Sequence, residues 1–380
     1  MTIKRSRGLV ARSAALLLLL TAAQVAAADG GGTGTAQVGT LIERLGLEES
    51  ATPVRELPGW RKPRKVLVWN VQPQLVPRLQ AAAPGVELLL AKDMAEAVAL
   101  AQDADAVLGL CSAELLAAGR DIRWIQSYSA GVERCVAVPA LRERGILLTN
   151  MQRVAGPAMA EHVVAMMLAW ARGLHFYIPE RMAGRWTREM PAPGRMLTLE
   201  GKTVLVVGLG GIGVEVARRT HALGMRVVAT RNSGREGPPF VSHVGLPDEL
   251  LKLAAEADFI VNTTPLTPAT INMFDAKFFA AVKPGAFFVN VGRGQSVVQP
   301  ELIAALRSGR LGGAGLDVTD PEPLPADSPL WQMQNVILTP HVSAGSDLGD
   351  EARMAIGVEN LRRYVAGEKM LSVVDVAKGY

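Results

Sequence analysis

Cysteine is scarce in this chain: Cys111 and Cys135 are the only two in 380 residues. Two thiols do not make a disulfide framework, and with neither a C-x-x-C pair nor a Cys/His cluster present, no metal site is expected. The pair is open to bonding in an oxidising compartment, but two separate, mostly buried thiols are the expectation. Aromatic residues are sparse, at 5%, and no later run of Lys and Arg is interleaved with them, so nucleic acid is not expected as a partner. The N-terminal apolar run AALLLLLTAAQV is too short for a comfortable membrane span, and no stable span is expected once that segment is removed.

What is present is globular composition, 49% hydrophobic and 20% charged, over a length that suits about two domains with sizeable cores. The net charge of +4 leans basic, but several of the positive residues sit in the first dozen positions. There Lys4, Arg5, Arg7 and Arg12 precede the apolar run, which ends in Ala26, Ala27 and Ala28. Basic region, apolar core and small-residue cleavage site make 1–28 a secretory signal peptide. The absence of an adjacent Arg-Arg pair favours general secretion over twin-arginine export, and a uniformly apolar core disfavours an amphipathic mitochondrial presequence. The protein is therefore expected outside the cytoplasm, in a periplasm-like compartment, or in the cytoplasm if translation begins later. Residues 29–59, Gly/Thr-rich and then polar with scattered prolines, read as a leader or surface arm.

The remaining chain alternates between strand and helix periodicity, which implies βαβ units and parallel sheets. KVLVWN (Lys65 to Asn70) reads as the first strand. It is followed by a helical stretch, VELLL around Leu88 to Leu90, and a second helical pattern from Asp93 to Gln102. DAVLGL, RWIQSY and ILLTN read as further strands before an unbroken helix from Gly156 to Leu174 and a Pro/Gly/Arg-rich loop from Pro179 to Gly194. Later strand candidates are VVAT, FIVNTT, AFFVNV, GAGLDV and VILTP, with a helix from Pro300 to Ser308 between two of them. The last periodic helix, Asp350 to Tyr364, has no local partner and is free to return to the first domain. Two α/β domains follow, the second inserted into the first, with a cleft between them for a small substrate.

The most informative stretch is GKTVLVVGLGGIG, Gly201 to Gly213. An apolar run bounded by glycine reads as a strand buried on both faces, and the residues after it hold helical spacing as far as Gly224. Strand, glycine turn and helix in this order give a G-x-G-x-x-G string its meaning. Gly208 lets the chain turn, Gly210 lets the backbone approach a pyrophosphate, and Gly213 lets helix and strand pack closely. A helix N-terminus then faces the phosphates. An enzyme that reduces a carbonyl with a nicotinamide also needs a cation for the substrate's anionic group and an acid for the new alkoxide. Arg293 follows the strand AFFVNV and His341 follows VILTP, at strand ends that line the ligand crevice of an open sheet. Glu322 sits in the proline-stiffened DPEPLP, where a carboxylate could orient the imidazole and favour its protonated form. Singly, each of these has a commoner structural explanation. Their order and loop contexts favour the chemical one.

From about Lys65 onward the chain resembles the D-isomer-specific 2-hydroxyacid dehydrogenases, the family of glyoxylate/hydroxypyruvate reductases and phosphoglycerate dehydrogenases. The match is carried by GLGGIG (Gly208 to Gly213), PLTPAT (Pro265 to Thr270), KPGAFFVNVGRG (Lys283 to Gly294), GLDVTDPEPLP (Gly315 to Pro325) and NVILTPH (Asn335 to His341). The resemblance implies two Rossmann-like, doubly wound parallel-sheet α/β domains. The NAD(P)-binding domain, 156–344, would be inserted into a flavodoxin-like substrate domain of 60–155 and 345–380. It also implies a homodimer and a catalytic set of Arg293, Glu322 and His341. Cofactor contacts would fall on Gly208, Gly210, Gly211, Ile212, Gly213, Arg231, Ser233, Pro265, Val291, Gly292, Arg293, Asp317 and His341. Substrate contacts would fall on Arg293 and the loop SAGVE, through Ser129, Ala130 and Gly131. The segment AEHVVAMML resembles the family's interdomain helix.

Two positions depart from the family pattern. The strand after the glycine motif usually ends in an acid that accepts from the adenosine ribose hydroxyls, but here Arg231 stands at that position. An acid would repel a 2′-phosphate and an arginine attracts one, so NADP(H) is expected over NAD(H), with Ser233 or Arg235 as helpers and NAD(H) still possible. Gln299 replaces a common acid, a minor variation at a helix start. Glutamate at 322, where formate dehydrogenases carry glutamine, points to carbonyl reduction. The expected reaction is reduction of a small 2-keto acid of the glyoxylate/hydroxypyruvate type to the D-2-hydroxy acid. An exported location conflicts with a supply of soluble cofactor, which keeps a second expectation open: an exported binding or sensing protein that reuses the fold.

Overall fold

The computed structural model of the chain describes residues 33–190 and 196–380. The expected signal peptide, 1–28, lies outside them. The described residues fall into two compact units, divided between Gly46 and Leu47. The described part of the first is a helix, Thr33–Leu45, within the expected leader. The second unit contains both α/β lobes.

The first lobe is a five-stranded sheet of β1 (Lys65–Trp69), β2 (Glu87–Ala91), β3 (Ala106–Leu108), β4 (Trp124–Gln126) and β5 (Leu147–Thr149). Its order is β2-β1-β3-β4-β5 and every pairing is parallel. This is the flavodoxin-like order, with the reversal between β1 and β3. VELLL is extended, not helical: Glu87–Ala91 pairs along the whole of β1, and the helix precedes it at Val76–Ala82. Three successive leucines carry no period, so length and neighbours decide between the two states.

The second lobe is a seven-stranded sheet of β6 (Thr203–Val207), β7 (Arg226–Thr230), β8 (His243–Gly245), β9 (Phe259–Asn262), β10 (Ala286–Asn290), β11 (Leu311–Leu316) and β12 (Val336–Leu338). Its order is β12-β11-β10-β9-β6-β7-β8, again parallel throughout. The all-apolar runs predicted from the sequence are the central strands: Val204–Val207 and Ala286–Asn290 are buried residue by residue. Helices cover both faces, as parallel sheets require. On one face the helix Gly156–Ala171 packs Met159, Val163 and Met167 against Val204, Val206 and Val289. It ends earlier than expected, at Gly173 with φ +69°, and a further helix, Leu174–Met182, occupies the start of the segment read as a loop.

The last helix, Asp347–Ala366, returns to the first lobe as anticipated. Leu361 and Tyr364 are buried against Val66, Leu108 and Trp124, and the rings of Trp124 and Tyr364 stack at 4.6 Å. Asn360 ties the same helix to the sheet by donating to Gln126 at 2.8 Å. The chain thus leaves the first lobe before Gly156, builds the second, and comes back.

The expectation of two separate thiols is overturned, because Cys111 and Cys135 are joined in a disulfide. Cys111 follows β3 and Cys135 lies in the helix Glu133–Val136 after β4. The two strands are neighbours in one parallel sheet, so both connections leave the same edge and bring the Cα atoms to 5.4 Å, within disulfide reach. A separation of 24 residues says nothing of this until the strand order is known.

Candidate active site

Parallel strands end on one edge, and the predicted site residues sit on those ends. In the second lobe the glycine turn follows β6, and Gly208 takes φ +95°, a conformation glycine adopts freely. A side chain on Gly213 would drive a Cβ into the Gly208 carbonyl, so only glycine allows the helix to start this close to the strand. That helix, Gly211–Ala222, has no side-chain cap, and the space beside Gly210 is open. An uncapped N-terminus of three turns next to an unobstructed glycine fits a pyrophosphate. Ile212 lies in the helix's first turn. Pro265 follows β9, where its carbonyl accepts from the Thr270 hydroxyl at 2.7 Å. Val291 and Gly292 follow β10, and Gly292 N–H donates to Asn290 Oδ1 at 3.1 Å.

Arg231 directly follows β7, its amide donating to the Gly245 carbonyl and its guanidinium to the Glu236 carbonyl at 3.1 Å. Among the described residues it has no carboxylate partner. Ser233 is exposed beside it. Arg235 is engaged in an ion pair with Glu249 at 2.5 Å.

His341 and Glu322 meet. The imidazole Nδ1 lies 2.9 Å from Glu322 Oε2, and the other carboxylate oxygen accepts from the Thr319 amide at 3.0 Å. With Nδ1–H donated to the carboxylate, Nε2 is left as the working nitrogen. Both side chains line a cavity of about 490 Å³ with Asp317, Leu324 and Trp331. A second cavity, of about 570 Å³, opens at the opposite, N-terminal end of the second sheet beside Lys202, Asp258 and Lys283, away from these groups.

Arg293 stands apart from that pair. Its Nη1 donates to the Gly292 carbonyl at 2.7 Å, and its Nε pairs with Glu133 of the first lobe at 2.9 Å. Its Nη2 lies against Gly131, where any Cβ would overlap it. The Ser129–Gly131 loop follows β4, and Asn150 fixes it by donating to the Ala130 carbonyl at 2.8 Å. Among the described residues the amides of Ala130 and Gly131 make no hydrogen bond. A guanidinium against a loop with free amides offers the donors a carboxylate needs. Among the described residues no hydrogen bond or ion pair joins Arg293 to Glu322 or His341.

Asp317, assigned to the cofactor from the sequence, is turned inward and is only 2% exposed. Its carboxylate accepts from the Thr339 hydroxyl at 2.7 Å and from the amides of Val342 and Ser343 at 2.9 and 3.0 Å. Since Thr339 donates its proton to Asp317, it accepts from His162 Nε2 at 3.0 Å, on the helix Gly156–Ala171. This chain of bonds braces the turn in which His341 holds φ +55°, a left-handed conformation that costs energy for a non-glycine residue. Burial raises the Asp317 pKa, but hydrogen bonds from Ser343, Thr339 and the two amides outweigh it and hold the group below its ordinary value. His162 and Glu133 were given no role from the sequence, because each meets its partner, Thr339 or Arg293, only in the fold.

A family model described as the NAD-binding domain of D-isomer-specific 2-hydroxyacid dehydrogenases matches residues 164–343. The chain is 36% identical over 259 residues to the glyoxylate reductase/hydroxypyruvate reductase of Mus musculus, covering 67% of this chain and 78% of that one. It is 34% identical over 308 residues to glyoxylate/hydroxypyruvate reductase B of Salmonella heidelberg, covering 79% and 94%. Among solved structures, an NADPH-dependent glyoxylate/hydroxypyruvate reductase from Sinorhizobium meliloti in complex with NADP and sulfate superposes with a TM-score of 0.68. It is 29% identical and covers 83% of this chain and 99% of that one.

The bracing of the His341 turn makes a stability prediction with a defined sign. A carboxylate whose pKa is depressed on folding stabilises the fold above its ordinary value of 3.8 and loses that contribution as the pH falls through the depressed value. Asp317→Asn should therefore cost about 1–3 kcal/mol at neutral pH. In urea unfolding the gap between wild type and variant should be full at pH 7 and close on acidification. A gap unchanged at low pH would rule the carboxylate's charge out of the bracing.

Proposed function

The chain belongs to the D-isomer-specific 2-hydroxyacid dehydrogenases, NAD(P)-dependent oxidoreductases acting on CH–OH donors, and on that premise we propose that it reduces a small 2-keto acid of the glyoxylate/hydroxypyruvate type with NADPH. The observation that carries this reading is the pairing of His341 with Glu322 at one strand end while Arg293 lies against Gly131, in a loop with free amides, at another. Residues 156–344 are assigned to the cofactor and 60–155 with 345–380 to the substrate, in keeping with the two sheets.

The substrate carboxylate binds the Arg293 Nη edge and the amides of Ala130 and Gly131. His341 donates a proton from Nε2 to the keto oxygen as that oxygen gains charge, and Glu322 holds the ring by accepting from Nδ1. When bound, a reduced nicotinamide would supply the hydride to the keto carbon, leaving the oxidised cofactor. The glycine turn, from Gly208 to Gly213, holds the pyrophosphate at the helix N-terminus. Arg231, with no carboxylate of its own, attracts the 2′-phosphate.

We further propose a homodimer located outside the cytoplasm. Leu174, Ile178 and Met182 recur at every fourth position along one helix and are 46%, 50% and 77% exposed, and Trp186 beyond them is 94% exposed. A second copy covering this apolar stripe by two-fold symmetry removes it from water. The Cys111–Cys135 bond suits an oxidising compartment.

Three outcomes are expected. His341→Ala should lower kcat by about 10²–10⁴-fold while NADPH still binds, read by nucleotide fluorescence; near-normal turnover would remove His341 from its role. Wild type should use NADPH with a lower KM than NADH, and Arg231→Ala should erode that preference by about tenfold or more. Tighter use of NADH by the wild type would overturn the cofactor assignment. Native protein should fractionate with the periplasm and sediment at twice the chain mass; a cytoplasmic monomer would contradict both.

A further inference from the structure

We propose that Glu133 is a positioning residue that sets the orientation of Arg293 for the substrate carboxylate. The inference rests on the reading of Arg293 as the carboxylate-binding residue. The two side chains come from different lobes: Arg293 from the end of β10, Glu133 from the first turn of the helix Glu133–Val136. Glu133 Oε1 accepts from Arg293 Nε at 2.9 Å, with each side chain about a quarter exposed. Nη1 is held by the Gly292 carbonyl. Two of the three guanidinium nitrogens are therefore tied down, and Nη2 faces the Gly131 backbone. The planar fork has one edge left for a ligand, beside the free amides of Ala130 and Gly131.

Without Glu133, Arg293 keeps a single carbonyl partner and its long side chain regains rotamer freedom that substrate binding must then remove. The acid is itself held firmly. A helix of four residues does not sustain its own position, but Cys135, two residues on, is bonded to Cys111 on the loop after β3. The short helix is thus anchored to a neighbouring connection of the same sheet, and it presents Glu133 from a fixed base.

A purely electrostatic view predicts the opposite outcome. Glu133 is a negative charge near the place of an anionic substrate, so its removal should tighten binding if charge alone matters. Positioning predicts weaker binding. The sign of the change in KM separates the two.

The test is steady-state kinetics with glyoxylate and NADPH on wild type, Glu133→Ala, Glu133→Gln, Arg293→Ala and the double variant Glu133→Ala/Arg293→Ala. Glu133→Ala should raise the glyoxylate KM about tenfold, with kcat, the NADPH KM and the melting temperature close to wild type. Glu133→Gln keeps an acceptor oxygen at the same reach and should stay within about threefold of wild type. The double variant should be no worse than Arg293→Ala alone, since Glu133 acts only through Arg293. An unchanged or lowered glyoxylate KM in Glu133→Ala would overturn the proposal. So would a rise matched by the NADPH KM or accompanied by a fall in melting temperature, which marks a general structural role. If Arg293→Ala itself leaves kcat/KM for glyoxylate intact, the carboxylate reading fails, whatever Glu133 does.

Discussion

Every named strand in both lobes pairs in parallel, and most of the site depends on that constraint. A parallel sheet sends all its strand ends to one edge, so residues far apart in the chain gather without any of them being adjacent in sequence. Gly208, Arg231, Asp317 and His341 each stand within a few residues of a strand's C-terminal end, on β6, β7, β11 and β12. The first sheet does the same with Ser129–Gly131 after β4. What distinguishes the individual positions is the local bracing added at that edge. The glycine turn is kept tight by contact with the helix it starts, while the His341 turn is held by a buried carboxylate that accepts two consecutive amides. One brace is steric and the other electrostatic, and both hold backbone conformations that most side chains resist.

The sequence made part of this legible for a clear reason. Strands buried on both faces read as unbroken apolar runs, so β6 and β10 and the residues just after them were identifiable, Arg293 among them. His341 and Glu322 were legible through their loop contexts. Contacts that require the strand order were not legible. The Cys111–Cys135 bond depends on β3 lying beside β4. Glu133 finds Arg293 only across the cleft. The edge strand β2 was misread because a short leucine run satisfies strand and helix equally. Leu174–Met182 was passed over because Pro179 looked like a breaker, whereas the proline is accommodated inside a short helix. Asp317 was recognised as belonging to the site, yet its carboxylate faces inward to the turn, a direction no motif records.

The braced turn also links the two sides of the second lobe. His162 sits on the helix that packs on the sheet, and its bond to Thr339 connects that packing to the loop bearing His341. The position of His341 is thus set by the core beneath it as well as by its carboxylate neighbour.

The return of the last helix has a consequence for how stability is distributed along the chain. Val66 and Trp124 belong to strands made early, but the side chains that cover them, Leu361 and Tyr364, come near the end. A polypeptide halted before Asp347 would contain every strand of the first sheet and still leave that face open to water. Damage at the C-terminus would therefore register in the lobe that carries the Ser129–Gly131 loop, at the opposite end of the sequence, before it disturbed the lobe that directly precedes it.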